Sequence, residues 1–336
     1  MRVAFAVPGS LDGSTGGYVY DEKVLKVLRE HHEVEVIEVP PSPLSSSDLR
    51  LGRLKGYDVV LQDELCRSAL VAFNPFVDAS VVSVVHLLAS EDPTRGRVET
   101  LVERAYLRTV DGCVYTSAAS RDASPVDVPS VVARPSSRFS PEITEVEVRD
   151  RAHDSPLRAV FIGNVSCLKG LGTAVRALRK NGWHLTVAGS IIDEGYVRRI
   201  RRLAVTEGVA ERVEFVGFLG DAELTSLLRS SHAVVVPSEY ESFGTAYAEG
   251  MSFGLPAVAS SRGGASEVVD DGRNGWLVEP GDCAKVGRLL CELEDDRKRL
   301  AKASIAALET AREQPSWQET SRRAVEFVER VAEGGK

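Results

Sequence analysis

Residues 238–250 read SEYESFGTAYAEG, and they directly follow the apolar run AVVVP of residues 233–237. A short β-branched run that ends in proline predicts a buried parallel strand, and a loop and a helix are expected after it. In open α/β sheets, ligands bind beyond the carboxyl ends of the strands, where helix N-termini offer free N–H groups to anions. This stretch therefore predicts an α/β fold with a ligand site just after a strand.

Two carboxylates frame the predicted helix, which covers residues 245–253 and follows Gly244. Glu249 is the one charge among small and apolar side chains, and seven residues separate it from Glu241. Carboxylates suit the vicinal diols of a ribose or a hexose, while the helix N-terminus between them suits a phosphate. Diol, phosphate and diol together describe a nucleotide-sugar. The alternative is that both residues are ordinary exposed charges near a helix end.

The composition narrows the classes of protein to consider. The chain has 336 residues, enough for two domains, and a net charge of -8, which argues against a general nucleic-acid binder. Its five scattered cysteines are typical of reduced residues in a cytosolic protein. The sequence opens on a strand pattern and has no long uninterrupted apolar run, so neither a signal peptide nor a transmembrane span is expected. We expect a cytoplasmic protein, with peripheral contact at the inner membrane face left open.

Two segments open in the same way. Residues 2–9 read RVAFAVPG and residues 158–163 read RAVFIG, so each has a basic residue, a short apolar strand and a glycine before a Gly-rich loop and a helix. This pattern predicts two Rossmann-like domains. We assign residues 1–150, with a returning helix at 316–336, to an acceptor-binding domain and residues 151–315 to a nucleotide-sugar-binding domain. The charged segment 141–156 is the predicted hinge.

The remaining elements follow from periodicity. In the first domain, a Gly-rich loop covers 9–17, a Pro/Ser linker covers 40–47, and a helix at 97–108 is expected to bury Val98, Leu101, Val102, Ala105 and Tyr106 on one stripe. A last amphipathic helix is predicted at 317–331, after Pro315. Strands are predicted near 2–7, 32–39, 58–61, 81–85, 112–115, 131–133, 159–162, 184–188, 213–216, 233–236 and 257–259.

The motifs in the second half resemble a known family. Residues 237–249 read PSEYESFGTAYAE, residues 254–259 read GLPAVA, residues 263–267 read GGASE and residues 271–278 read DGRNGWLV. They are similar to the retaining family-four glycosyltransferases, which have the GT-B fold and a Glu-x(7)-Glu motif. The resemblance extends to the first half through Gly16, Gly17 and His86. It implies two Rossmann-like domains facing across a cleft, and a final helix that crosses back to the N-terminal domain.

The resemblance also implies roles for individual residues. Glu241 contacts hydroxyls of the donor sugar, Glu249 contacts the ribose diol, and Lys169 holds the diphosphate. The turn at Phe243, Gly244 and Thr245 contacts the sugar and the diphosphate, and Gly16 and Gly17 form the N-terminal glycine loop of the donor site. Two departures stand out: Asn164 replaces the usual arginine, and residues 134–136 read RPS where a Pro-Gly pair is usual. Phe218 and Leu219, which follow a predicted strand, are further candidates to line the base site.

The chemistry expected is metal-independent transfer of a hexosyl-type sugar from a nucleoside-diphosphate sugar to an acceptor hydroxyl, with retention of configuration and no cofactor. The sequence has no Asp-x-Asp pair to hold a metal, while a lysine and a helix N-terminus stabilise a leaving diphosphate. His86 ends an apolar run and is a candidate active-site residue, although an isolated histidine also serves as a structural residue. Taken by itself, Lys169 also fits an ordinary surface lysine.

The same residues also bear on other functions. A dinucleotide-dependent oxidoreductase needs Gly-x-Gly-x-x-Gly directly after a strand, and residues 170–175, GLGTAV, lack the third glycine. A GT-B sugar-nucleotide epimerase and a catalytically inactive sugar-nucleotide binder stay open, the latter because of Asn164. The acceptor class stays open among a sugar, a glycolipid and a small molecule. Arg95, Arg97, Arg104 and Arg108 suit either an anionic lipid or phosphorylated acceptor, or a solvated helix face.

Overall fold

The computed structural model describes residues 1–9, 16–39 and 54–334. Most of the predicted loop at 9–17 and the linker at 40–47 lie outside these residues. The chain divides into two compact units, of which unit 1 comprises Met1–Pro135 with Pro315–Lys336 and unit 2 comprises Ser136–Gln314. Among the described residues, no helix combines the length and apolar character needed to cross a membrane.

Unit 1 is built on six parallel strands in the order β2-β1-β3-β4-β5-β6. The strands are β1 (Arg2–Pro8), β2 (Glu33–Val39), β3 (Val59–Asp63), β4 (Ser80–Val85), β5 (Gly112–Tyr115) and β6 (Ser130–Val132). The first helices are α1 (Gly16–His31), α2 (Arg67–Leu70), α3 (Arg97–Leu107) and α4 (Ala118–Asp122). Alternate residues of β1 enter different cores: Val3 and Phe5 belong to one apolar cluster and Ala4 to another. Helices therefore cover both faces of the sheet, as a fully buried parallel sheet requires.

Unit 2 is a second six-stranded parallel sheet, in the order β12-β11-β10-β7-β8-β9. Its strands are β7 (Arg158–Ile162), β8 (His184–Ala188), β9 (Val213–Gly217), β10 (Ala233–Val236), β11 (Ala257–Ser260) and β12 (Gly275–Val278). Its helices are α5 (Glu145–Arg151), α6 (Leu171–Ala177), α7 (Glu194–Thr206), α8 (Asp221–Ser230), α9 (Thr245–Met251), α10 (Cys283–Asp295) and α11 (Arg297–Glu313). The two-domain α/β fold predicted from the sequence is confirmed.

The strand order places a switch point in unit 2. The chain runs from β7 outward through β8 and β9, then returns to the other side of β7 with β10. The loops that leave β7 and β10 therefore diverge from the same edge of the sheet, which is where open α/β sheets bind ligands. Residues just after these two strands are the first place to look for a site.

The last helix, α12 (Trp317–Gly334), belongs to unit 1. Ala324, Val325, Phe327 and Val328 are buried in the same cluster as the sheet residues Val82 and Val114. Trp317 and Val331, the two ends of the predicted helix, pack at the edge of that cluster. The crossing back of the C-terminal helix to the N-terminal sheet is confirmed.

The predicted hinge at 141–156 differs from the structure. This segment contains α5, whose Val148 is fully buried with Leu308 of α11, and Arg151 donates hydrogen bonds to the carbonyls of Phe253 and Gly254. These contacts attach the segment to unit 2, and the chain passes from unit 1 to unit 2 between Pro135 and Ser136, earlier than residue 150. The sequence pattern missed the helix because Val148 is its one buried apolar residue, whereas Val146 is 61% exposed.

The apolar stripe predicted for α3 is wrong in part. Val98 and Leu101 are 71% and 65% exposed, whereas Glu103 is buried. The carboxylate of Glu103 accepts hydrogen bonds from the backbone amides of Ala89 and Ser90. The Glu103 side chain therefore faces inward and satisfies backbone amides of a loop, at a position where periodicity predicts exposure to solvent.

Candidate active site

Two of the predicted residues meet at the switch point of unit 2. Lys169 lies in the loop after β7, Glu241 lies in the loop after β10, and Lys169 Nζ donates a hydrogen bond to Glu241 Oε2 at 2.7 Å. Their side chains are 25% and 7% exposed. Because the Lys169 side chain of this ion pair is partly exposed, its ammonium can also bind an anion that arrives from solvent.

A glycine brings the lysine to this position. Gly170 has a φ of 69°, and a Cβ there would lie 1.9 Å from the carbonyl oxygen of Pro237. The loop after β7 therefore lies directly against the end of β10, and Glu239 N donates to Leu168 O at 2.8 Å. Only glycine allows both this left-handed conformation and this close approach.

Glu241 is held through its backbone. Its N–H donates to Arg262 O at 3.2 Å, and its carbonyl accepts from Gly264 N at 2.7 Å. Ser238 Oγ lies 3.3 Å from the same carboxylate oxygen that binds Lys169. The Glu241 side chain is thus fixed at the sheet edge by a neighbouring loop.

A glycine in the left-handed conformation precedes α9. Gly244 has a φ of 105°, and a Cβ there would lie 2.2 Å from Cδ2 of Tyr247. Tyr247 is fully buried, and its hydroxyl donates to Val236 O at 2.7 Å. The helix begins at Thr245 as expected but ends at Met251, two residues before the predicted end. Its first backbone N–H groups have no acceptor inside the helix.

Glu249 is buried and paired with a cation that the sequence analysis missed. Its side chain is 7% exposed, and Arg138 Nε lies 2.8 Å from its Oε1. Burial raises the pKa of Glu249 to about 6, and Arg138 opposes this shift. A carboxylate within a helix of small and apolar residues needs a partner, but no sequence feature near Glu249 identifies residue 138 as that partner.

In unit 1, His86 follows β4 and lies among carboxylates. Its Nε2 is 3.0 Å from Asp21 Oδ1, and its side chain is 13% exposed. Glu64 accepts hydrogen bonds from the backbone amides of His86 and Leu87 at 3.1 and 3.2 Å. Gly17 lies against the imidazole, where a Cβ would be 3.4 Å from Cδ2. Gly17 and the His86 ring are therefore direct neighbours in unit 1.

The charges of this cluster depend on one another. Burial alone would lower the pKa of His86, but Asp21 and Glu64 outweigh it and raise that pKa to about 10. Burial raises the pKa of Asp21 to about 7 and that of Glu64 to about 8. Ligand atoms of Asp21, Asp63 and His86 lie within 4.8 Å of one another, so this group of described residues has a spacing that a cation could share. No sequence motif identifies these carboxylates, although Asp63 ends a buried strand and Glu64 follows it directly.

The other predicted residues are spread over both units. Asn164 is half-buried just after β7, Phe218 is 55% exposed just after β9, and Leu219 packs partly against the core. These three lie in unit 2 with Lys169, Phe243 and both glutamates. Gly16, Gly17 and His86 lie in unit 1.

Comparison with known proteins agrees with this geometry. Residues 144–310, which contain Lys169 and both glutamates, match the model of the family described as glycosyl transferases group 1. This part of the chain belongs to that family. The resemblance to glycosyltransferases that the motifs predicted is confirmed.

Relatives in sequence cover different shares of the chain. A glycogen synthase from Mycobacterium tuberculosis is 27% identical over 286 residues, which are 78% of this chain and 66% of the relative. A D-inositol 3-phosphate glycosyltransferase from Streptomyces avermitilis is 30% identical over 183 residues, 51% of this chain and 39% of the relative. The chain thus spans less than two thirds of the length of each.

Solved structures match almost the whole chain. Sucrose-phosphate synthase from Thermosynechococcus elongatus has a TM-score of 0.85 at 17% identity and covers 99% of both chains. HepE from Anabaena, in complex with UDP and glucose, has a TM-score of 0.82 at 18% identity over 98% of this chain and 99% of that one. At these identities the likeness shows the fold, which is GT-B.

Proposed function

We propose that this protein is a retaining glycosyltransferase that moves a hexosyl-type sugar from a nucleoside-diphosphate sugar to an acceptor hydroxyl, without a metal ion on the diphosphate. The observation that carries the proposal is the Lys169–Glu241 ion pair at the divergence of β7 and β10. It supports the proposal because a countercharge for a diphosphate and an acceptor of sugar hydroxyl groups lie side by side.

Each residue has a distinct role in this proposal. As the bond between the sugar and the diphosphate breaks, negative charge grows on the diphosphate, and the Lys169 ammonium stabilises it. Glu241 accepts hydrogen bonds from hydroxyls of the donor sugar, and Glu249 accepts from the ribose. The turn at Phe243, Gly244 and Thr245 offers backbone N–H groups to the sugar and the diphosphate. Phe218, Leu219 and Asn164 complete the donor side.

His86 is proposed to act from unit 1 as a charged donor. Asp21 and Glu64 raise the pKa of His86, which favours a protonated imidazole that donates hydrogen bonds. We assign acceptor binding to unit 1 and donor binding to unit 2. The proposed acceptor is a sugar, a glycolipid or a small alcohol.

The choice of first donor follows from a structural neighbour. HepE from Anabaena was solved in complexes with UDP and glucose and with UDP-glucose. We therefore propose UDP-glucose as the first donor to test.

The decisive experiment separates transfer from its rivals. The protein is first screened for binding of UDP, GDP and ADP, and then incubated with the corresponding diphospho-sugars and an acceptor panel, with the anomeric configuration of the product read by NMR. A product of retained configuration supports the proposal. Epimerised donor supports the epimerase alternative. Tight binding with neither transfer nor hydrolysis supports the inactive binder that Asn164 suggests.

A further inference from the structure

Arg138 joins two acidic residues of unit 2 from the segment that precedes α5. Its Nε lies 2.8 Å from Glu249 Oε1, and its Nη1 donates to Asp221 Oδ1 at 3.3 Å. The guanidinium also lies over the ring of Phe139, 5.1 Å from the centroid. The Arg138 side chain is only 22% exposed, so the guanidinium is held in one place by α8, α9 and its own neighbour.

Glu249 depends on this cation. It lies in a short helix whose neighbouring residues Tyr247, Ala248 and Gly250 are all buried, and its own side chain is 7% exposed. An unpaired carboxylate in such surroundings takes up a proton, because burial penalises its charged form. The charged groups that act on Glu249 are Arg138, which lowers its pKa, and Asp221, which raises it. Within residues 54–334, Arg138 is the one basic side chain within ion-pair distance of this carboxylate.

The contact also limits the orientations of the carboxylate. The closest approach is between Arg138 Nε and Glu249 Oε1, at 2.8 Å, and the same guanidinium is anchored to Asp221. The arginine therefore affects both the charge and the orientation of the acceptor that a ribose would meet.

We propose that Arg138 is a positioning residue for nucleotide recognition, which keeps Glu249 ionised and orients its carboxylate toward a ribose hydroxyl. This inference rests on the proposed function, because it assigns the ribose to Glu249. It adds a residue outside the segment that contains Lys169 and both glutamates. The opposite role is that Arg138 occupies the ribose position and must leave before the nucleotide binds.

The pH dependence of nucleotide binding separates these roles. Glu249 accepts hydrogen bonds only when ionised, and its pKa is raised to about 6, so affinity falls as the pH drops through that value. Replacing Arg138 with glutamine removes the opposing cation and moves the fall in affinity to higher pH. Replacing Asp221 with asparagine removes a carboxylate that raises this pKa, and it moves the fall to lower pH.

The experiment measures UDP, GDP and ADP binding by calorimetry between pH 5 and pH 8. We expect Arg138→Gln to shift the midpoint up by about one pH unit, which weakens binding by roughly tenfold at pH 5 and by about twofold at pH 7. Arg138→Lys should keep a midpoint near that of the wild type, and Asp221→Asn should shift it down. Melting curves of all variants check that each one is folded.

The outcomes separate this inference from the proposed function. If Glu249→Gln abolishes binding while Arg138→Gln has the wild-type midpoint, the role of Arg138 is overturned and the donor site stands. Tighter binding by Arg138→Gln also overturns it, because that result identifies the arginine as an occupant of the ribose position. A wild-type protein that binds none of the three diphosphates overturns both.

Discussion

Lys169 Nζ and Glu241 Oε2 lie 2.7 Å apart, although the two residues are 72 positions apart in the sequence. Each follows one of the two strands that diverge at the switch point of unit 2. The contact couples the proposed countercharge for the diphosphate to the proposed acceptor for the sugar hydroxyls. Changing either residue therefore alters the surroundings of the other, and their effects on binding and turnover must be measured separately.

Lys169→Ala should lower turnover more than it lowers donor binding. Negative charge on the diphosphate is greatest as the bond breaks, so the lysine contributes most in the transition state. We expect kcat to fall by roughly 100-fold or more, a range typical of a lost transition-state contact. Steady-state kinetics are compared with calorimetric affinity for the diphosphate, and Lys302→Ala, an exposed lysine of α11, is the matched control. Equal losses in kcat and affinity would show that the lysine only binds the ground state.

Glu241→Gln should leave binding of the sugar-free diphosphate nearly intact and lower turnover. Its proposed contacts are with the donor sugar. Glutamine keeps the shape of the side chain but replaces one of the two accepting carboxylate oxygens with an NH2 group and removes the negative charge. The measurement compares affinity for UDP with affinity for UDP-glucose in the same variant. A loss of affinity that is the same for both ligands contradicts the assignment of Glu241 to the sugar.

Glu249→Gln should weaken binding of the diphosphate itself. Losing a charged hydrogen-bond acceptor in a desolvated position costs about 2 to 4 kcal/mol, and the variant should lose the pH dependence expected near pH 6. The affinities of the variant and the wild type are compared by calorimetry at pH 5.5 and pH 7.5. These values lie about half a unit below and well above that pKa. A folded variant with wild-type affinity would remove Glu249 from the site.

The sequence predicted most of this fold because its strands are short apolar runs that alternate with helical patterns. Residues 112–115, 184–188 and 233–236 coincide with β5, β8 and β10. The strand β12, at Gly275–Val278, was missed because it has only four residues, one of them a glycine, and lies between polar turns. Short apolar runs with ordinary loops on either side have little periodicity to detect.

The sequence predicts the site only where the strand topology fixes the positions of its residues. The ends of parallel strands lie at one edge of a sheet, so Lys169 and Glu241 could be placed near each other from the sequence alone. Arg138 could not, because it is more than a hundred residues from Glu249 and belongs to a segment without regular pattern. Asp21 was missed for a similar reason: it lies on α1 and reaches His86, which follows β4.

Chelation should leave transfer activity unchanged if the diphosphate is stabilised as proposed. Lys169 then supplies the positive charge that a divalent ion supplies in other transferases. Activity is measured after extensive treatment with EDTA and again after addition of Mg²⁺ or Mn²⁺. Activity that collapses on chelation and returns with a divalent ion contradicts the metal-free mechanism. The group Asp21, Asp63 and His86 would then be the first described residues to test by substitution.

Removing the last helix should damage unit 1 and spare part of unit 2. A chain that ends at Glu313 lacks α12, whose Ala324, Phe327 and Val328 are buried against the sheet of unit 1. The loss exposes an apolar face of that sheet, so we expect aggregation, loss of transfer and partial survival of nucleotide binding by unit 2. A milder version is Phe327→Ala, which should lower the free energy of unfolding by about 3 to 5 kcal/mol, with the exposed Glu326→Ala as its control. Unfolding is followed by circular dichroism, and nucleotide binding by calorimetry. A truncated protein with full solubility and full transferase activity would show that α12 is dispensable for unit 1.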